Sequence, residues 1–233
     1  MARVRKVAII AGHNGPRTGA WWQDAEGLLD EWTLAQKVAI CASFECLSRG
    51  WQSYLVTGNY KYPHHLYAKC GMVERIQPDL AIACHFGSNA KHGERGRRHS
   101  GCTGTMFADG YIPDESDFAA GVNTVFYDQN ERARDLAERL VALTLETTDL
   151  TMANDDGLDP RPAVSTEGHQ RVYVTIRLDP VCPVVFYECA SLSSPLDRKV
   201  IRDDAHLFNK LGFVVGAACD EWWLAHMEEG GEP

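Results

Sequence analysis

The sequence predicts a single α/β domain with a mostly parallel, twisted sheet flanked by helices. Three observations predict it. Short apolar runs rich in β-branched residues alternate with helix-period segments along the whole chain. Two runs, 80–84 and 183–187, are continuously apolar, as strands buried on both faces of a parallel sheet are. The chain of 233 residues suits one core, and it holds no internal repeat or low-complexity linker. The domain is expected over 1–227, with 228–233 as a disordered tail.

Residues 5–11 are apolar and β-branched and form the expected first strand, followed by a Gly-containing loop over 12–27. Asp30 is the expected N-cap of a helix that carries Leu34, Val38, Cys41, Ala42 and Cys46 on one face. Arg49-Gly50 stops it. Residues 51–57 read as a strand, and 64–77 as a helix ended by Pro78. Strand 80–84 leads into a polar loop over 86–101. A strand is expected over 103–108 and a loop over 113–129. The next helix turns Ala133, Leu136, Ala137, Leu140, Val141 and Thr144 inward. Residues 151–170, with Pro160 and Pro162, read as a long loop. Residues 172–176 alternate as a strand, and 183–187 form a buried strand. The segment 197–226 is mostly helical, with Leu207, Leu211, Val214, Val215 and Ala218 inward.

Composition narrows the function classes. A net charge of −9 argues against a nucleic-acid partner held by bulk charge. No apolar run reaches the roughly 18 residues that cross a membrane, so membrane insertion is not expected. Arg3, Arg5 and Lys6 imitate the start of a signal peptide. The apolar run then ends at Gly12-His13 with no cleavage site after it, so cytoplasmic synthesis without a signal peptide is expected. None of the 8 Cys forms a Cys-x-x-Cys pair, and reduced core thiols are expected.

Ligands of an open parallel sheet collect beyond the carboxyl ends of its strands. Three expected strands each end on a residue suited to metal or proton chemistry: His13 after Gly12, His85 and Glu188. Glu31 opens the first long helix. Two His and one carboxylate with an open position make a catalytic zinc arrangement. A second carboxylate beside it can move a proton. Each residue also has an ordinary role open to it. A loop His bonds locally, a Glu at a helix start favours the macrodipole, and Glu188 could pair with an Arg. Their coincidence at the ends of separate apolar strands favours a joint site, because a buried carboxylate needs a partner.

These residues resemble the zinc-dependent N-acetylmuramoyl-L-alanine amidases, the family of bacterial cell-separation amidases and many phage endolysins. The run from Val7 to Gly15 is similar to the family's opening strand and Gly-His-Gly-Gly turn. Glu31-Trp32-Thr33-Leu34-Ala35 is similar to its Glu-x-x-Leu metal motif. The run from Gln77 to His85 resembles its second His strand, with Asn89-Ala90 after it. Residues 101–111 resemble a further strand of the family, and the run from Pro183 to Glu188, then Ser191 to Ser194, its catalytic segment.

The resemblance covers about residues 4 to 220 and implies a phosphorylase/hydrolase-like fold. It implies that His13, Glu31 and His85 bind zinc, that Glu188 is the catalytic carboxylate, and that the protein is a monomer. The implied reaction is hydrolysis of the amide between N-acetylmuramic acid and L-alanine of the peptidoglycan stem peptide. The implied setting is a phage-type endolysin acting on the cell wall during host lysis. With one catalytic domain filling the chain and a charge of −9, affinity for the wall is expected from local features. Asn89, Arg97 and Arg98 of the loop after His85 are candidate substrate-binding residues, the Arg through bidentate pairing with carboxylates. Trp21 is a candidate for stacking on sugar, whereas Trp222-Trp223 are expected to seal the last helix.

Departures from the family bear on the substrate subtype. Gly58 follows Thr57 where the family has Arg, Ala11 stands for Pro, and Cys189-Ala190 follow Glu188. Two extra residues separate His85 from Asn89. The segment between His13 and Glu31 is long, which makes Glu26 a competing third ligand. Two other functions stay open: a cytoplasmic zinc hydrolase of a non-wall peptide or N-acyl amino acid amide, and a catalytically inactive muropeptide-binding module.

Overall fold

The computed structural model describes residues 3–15, 19–58, 65–87, 121–153, 156–162, 178–192 and 194–227. In chain order the elements are β1 (Lys6–Ala11), β2 (Trp21–Asp24), β3 (Gly27–Asp30), α1 (Glu31–Ser48), β4 (Gln52–Val56), α2 (His65–Ile76), β5 (Leu80–Gly87), β6 (Asn123–Tyr127), α3 (Glu131–Thr147), β7 (Leu158–Arg161), β8 (Val184–Ser191), α4 (Pro195–Asp203) and α5 (Leu207–Met227). The main sheet runs β4-β1-β5-β8-β6-β7, and β2 and β3 form a separate hairpin. Every pairing in the main sheet is parallel except β6 with β8, so this is a single domain on a mostly parallel, mixed sheet.

The apolar runs lie in the middle because both faces of the sheet are covered. Val7, Ile9, Leu80, Ile82, Cys84, Val185 and Tyr187 enter one core with residues of α1, α3 and α5. Their neighbours Ala8, Ile10, Ala81, Ala83 and Val184 enter a second core with Cys70 and Val73 of α2. Successive side chains of a strand point to opposite faces, so a strand between two helix layers must be apolar at every position.

Local signals end the helices. Asp30 caps α1 by accepting from the Thr33 N–H at 3.1 Å. Gly50 follows α1 at φ 82, a conformation that suits glycine. Asn130 caps α3 through the Ala133 N–H at 2.9 Å. Ser194 caps α4, with Pro195 in its first turn. Asp197 of α4, fully buried, accepts from the Ser191 N–H at 2.8 Å and from Thr151 Oγ1 at 3.2 Å, anchoring the end of β8.

Four expected segments differ. The loop over 12–27 contains the β2–β3 hairpin, where Trp21, Trp22, Leu28 and Leu29 flank a turn with Gly27 at φ 118. The loop over 151–170 contains β7, whose Pro160 is tolerated because β7 is an edge strand among the described residues. The loop over 113–129 contains β6, the aromatic and β-branched run Asn-Thr-Val-Phe-Tyr. The C-terminal helical segment is two helices, divided around Asp204–His206. The strands expected at 103–108 and 172–176, the segment 88–101 and the tail 228–233 lie outside the described residues. Cys41, Cys46, Cys70, Cys84, Cys182, Cys189 and Cys219 are free thiols. No helix among the described residues is long and apolar enough to cross a membrane.

Helix α5 crosses α1 closely at two glycines. A Cβ at Gly212 would stand 2.8 Å from the Cys41 backbone carbon, and one at Gly216 would stand 2.6 Å from Glu45 Cγ. Gly71 of α2 faces open space. Gly212→Ala is therefore expected to lower unfolding stability by about 1–3 kcal/mol. Gly71→Ala is expected to raise it by up to about 1 kcal/mol, because Ala is the better helix former. Urea unfolding of both variants beside the wild type measures the contrast.

Candidate functional site

Glu31 is the first residue of α1 and is 4% exposed. Its Oε1 lies 2.8 Å from His85 Nδ1 and 3.0 Å from His13 Nε2, and accepts from the Phe86 N–H at 3.2 Å. Its Oε2 accepts from the Ala20 N–H at 2.5 Å. The Glu31 N–H donates back to the Ala20 carbonyl at 2.9 Å. One carboxylate thus joins the start of α1 to the end of β1, the end of β5 and the strand leading into the hairpin.

His13 follows β1 in the left-handed region, at φ 53. The turn is tied down twice. The Gly12 N–H donates to the Cys84 carbonyl at 2.9 Å. The buried ammonium of Lys69, on α2, donates to the His13 carbonyl at 2.7 Å and to the Ala11 carbonyl. Burial pushes the Lys69 pKa down to about 8. Lys69 went unread as a site residue, although a lysine beside Cys70 and Val73 in a mostly apolar helix is a visible signal.

His85 lies on β5, and Phe186 of β8 stacks on its ring at 3.7 Å between centroids and 22° between planes. His13 meets the same ring edge-on at 5.0 Å. Two glycines make room. A Cβ at Gly12 would stand 2.7 Å from His85 Nδ1, and one at Gly19 would collide with Glu31 Oε2 and the His13 ring.

The protonation states suit a cation. Burial pushes the His85 pKa down to about 4, against the pull of Glu31, and leaves a neutral imidazole. Burial pushes Glu31 upward, but hydrogen bonds from His13 and His85 outweigh it and hold the group ionised, well below the usual carboxylate range. One ligand-competent atom from each of His13, Glu31 and His85 lies within 4.8 Å of the others. Two imidazole nitrogens and a carboxylate oxygen are a borderline N/O donor set of the kind divalent zinc accepts, and a metal needs its ligands deprotonated. The three side chains fit such an ion.

Glu188 lies on β8 as the register partner of His85. Its Oε2 is sealed from solvent with no hydrogen-bond partner among the described residues. A Cβ at Gly87 would stand 3.3 Å from that oxygen. Burial raises the Glu188 pKa well above the usual carboxylate range, and the charges of Glu31 and Asp159 push the same way.

The other candidates fall elsewhere. Glu26 is exposed and pairs with Arg202 at 2.6 Å, so it stands apart from the cluster that contains Glu31. Arg202 also pairs with Asp24 at 2.6 Å, and the Arg198 guanidinium lies 3.7 Å over the Trp22 ring, so the hairpin is strapped to α4. Trp21 opens β2 as the register partner of Asp30, one residue after Ala20. Asn89, Arg97 and Arg98 lie outside the described residues. Trp222 is buried and donates to the Arg132 carbonyl at 2.9 Å, and Trp223 packs edge-on to Trp51 at 5.5 Å.

A family profile described as N-acetylmuramoyl-L-alanine amidase matches residues 7–210. No curated protein sequence matches the chain. Among solved structures, the chain is similar to Cwp6 from Clostridium difficile, with a TM-score of 0.70 and 17% identity over 95% of this chain and 30% of that one. It is similar to the N-acetylmuramoyl-L-alanine amidase AmiC2 of Nostoc punctiforme, with a TM-score of 0.62 and 15% identity over 94% of this chain and 97% of that one. The catalytic domain of the CD27L endolysin targeting Clostridia difficile gives 0.57 and 11% over 93% and 97%. The chain spans 30% of the length of Cwp6 and nearly all of the other two. At these identities the likeness is one of fold.

The packing at Gly19 generates a test. In Gly19→Ala the new methyl group displaces Glu31 or His13, so zinc affinity is expected to fall about tenfold or more while the chain stays folded. Metal per chain after equilibration against buffered zinc, read with the melting curve, checks it. Zinc affinity equal to wild type would show that the three donors do not hold the metal.

Proposed function

The chain belongs to the N-acetylmuramoyl-L-alanine amidase family, enzymes of peptidoglycan, and on that premise we propose how its own residues perform the hydrolysis. His13, Glu31 and His85 hold a zinc ion, and Glu188 moves the proton. The bond cleaved is the amide between N-acetylmuramic acid and L-alanine of the stem peptide. The observation that carries this reading is the convergence of three ligand-competent atoms beside a sealed Glu188 oxygen with no partner among the described residues.

A zinc ion at such a site polarises the substrate carbonyl and makes water more acidic. The protein residues do the rest. Glu31 and the two imidazoles bring a carboxylate oxygen and two ring nitrogens to one place. Phe186 keeps the His85 ring from turning. Glu188 takes a proton from the attacking water and passes it to the departing alanine nitrogen. A carboxylate whose pKa is raised by burial is suited to hold that proton between the two steps.

The biological setting we attach to this reading is the bacterial cell wall, with an endolysin's role in host lysis. One of the similar structures is an endolysin catalytic domain, which supports that setting.

Glu188→Gln keeps the shape and removes the base. Release of new alanine amino groups from purified peptidoglycan is expected to fall by about 10²–10⁴-fold, with zinc content unchanged. His13→Ala and His85→Ala are expected to lose zinc and activity together. Wild type that cleaves small acyl-amides and leaves peptidoglycan intact would point to a non-wall amidohydrolase. Wild type that binds muropeptides with zinc supplied and never cleaves them would point to a binding module.

A further inference from the structure

His85, Glu188 and Asn123 stand side by side on the adjacent strands β5, β8 and β6. His85 is the register partner of Glu188, and Glu188 of Asn123. Register partners raise their side chains from the same face, with Cβ atoms about 4.5–5.5 Å apart in an antiparallel pair. The metal-ligand candidate, the proton carrier and an asparagine therefore form one row across the sheet edge.

Asn123 is 4% exposed. Its Oδ1 is sealed from solvent and accepts no hydrogen bond among the described residues. Glu188 Oε2, in the neighbouring strand, is in the same state, so the two atoms are not partners of each other. An unpaired buried acceptor is costly, and such atoms are few in a folded protein. If Asn123 served to hold Glu188 in place, the bond between them would exist in the free protein. Two unpartnered atoms in adjacent positions instead await a third group. A carboxamide oxygen only accepts, so that group must donate.

The amide cleaved in the proposed reaction carries one N–H, on the nitrogen that departs. We propose that Asn123 is a substrate-binding residue whose Oδ1 accepts this N–H and holds the leaving nitrogen against Glu188. The inference rests on the proposed function of the site. Water adds to the carbonyl carbon, the C–N bond breaks, and one water proton passes through Glu188 to the nitrogen. The products are a carboxylic acid on the lactyl group and a primary amine on alanine. The amine keeps the hydrogen that Asn123 held and gains the one from Glu188. The same contact selects amides over esters, because an ester oxygen has no hydrogen to give and leaves Oδ1 unpaired.

The test compares a muramoyl-L-alanine peptide with its ester counterpart, in which oxygen replaces the scissile N–H. Wild type and Asn123→Ala are assayed on both, with zinc content and melting temperature recorded. In the variant, kcat/KM for the amide is expected to fall about 10- to 100-fold, with the ester within about twofold of wild type. The ratio of the two substrates within one preparation does not depend on how much of it is folded. Equal loss on both substrates, or an undiminished rate on the amide, would overturn the assignment of Asn123 while leaving the amidase reading intact. A wild type that cleaves neither substrate would overturn both.

Discussion

The buried carboxylate of Glu31 is the interaction on which the site depends. A charge with almost no water around it is costly unless donors surround it, and here two backbone N–H groups and two imidazoles face it. Those four partners come from three places in the chain: the turn after β1, the approach to the hairpin, and two successive residues of β5. Meeting that need brings the ends of β1 and β5 to the start of α1. It also explains the glycines. Gly12 and Gly19 sit where any Cβ would push an imidazole or the carboxylate out of reach. The left-handed turn at His13 is held by the Lys69 ammonium, which donates to the Ala11 and His13 carbonyls.

The sheet supplies what the carboxylate cannot, a straight row of attachment points. Parallel neighbours β1, β5 and β8 end at the same edge, so one residue past each apolar run arrives beside the next. The antiparallel β6 begins at that edge instead of ending there, and it contributes its first residue, Asn123. The apolar interior of the strands and the polar row at their ends are two parts of one arrangement. Burial on both faces makes the strands rigid, and rigidity holds the side chains at the edge in register.

This explains what could be read from the sequence. The doubly buried strands announce themselves as continuous apolar runs, and the residue after each run is a site candidate by position alone. His85 and Glu188 are candidates for that reason, His13 one residue further on past Gly12, and Glu31 because Asp30 marks the helix start just before it. The hairpin, β6 and β7 were less legible for separate reasons. The hairpin is a two-stranded ribbon stabilised by Arg198 and Arg202 of a distant helix, contacts that no local pattern records. β7 carries a proline, which reads as a breaker unless its edge position is known. β6 opens on the polar Asn123 and Thr124, whose burial comes from partners far along the chain. Glu26 competed with Glu31 on spacing alone, and the strap to Arg202 accounts for it as an ion-pair residue.

The two carboxylates of the site show how one residue type is pushed in opposite directions by its surroundings. Both are removed from water, which raises the pKa of each. Glu31 faces donors on both of its oxygens and stays ionised. Glu188 has an oxygen with none, and it also feels the negative charge that those donors preserve on Glu31. The donors that keep Glu31 charged are therefore part of the reason the Glu188 pKa is raised. A change that neutralised Glu31 would remove one of the charges that add to the effect of burial on Glu188. The coupling runs through space between the start of α1 and β8, and it links the proposed metal-holding and proton-moving roles, although Glu31 and Glu188 are far apart in the sequence.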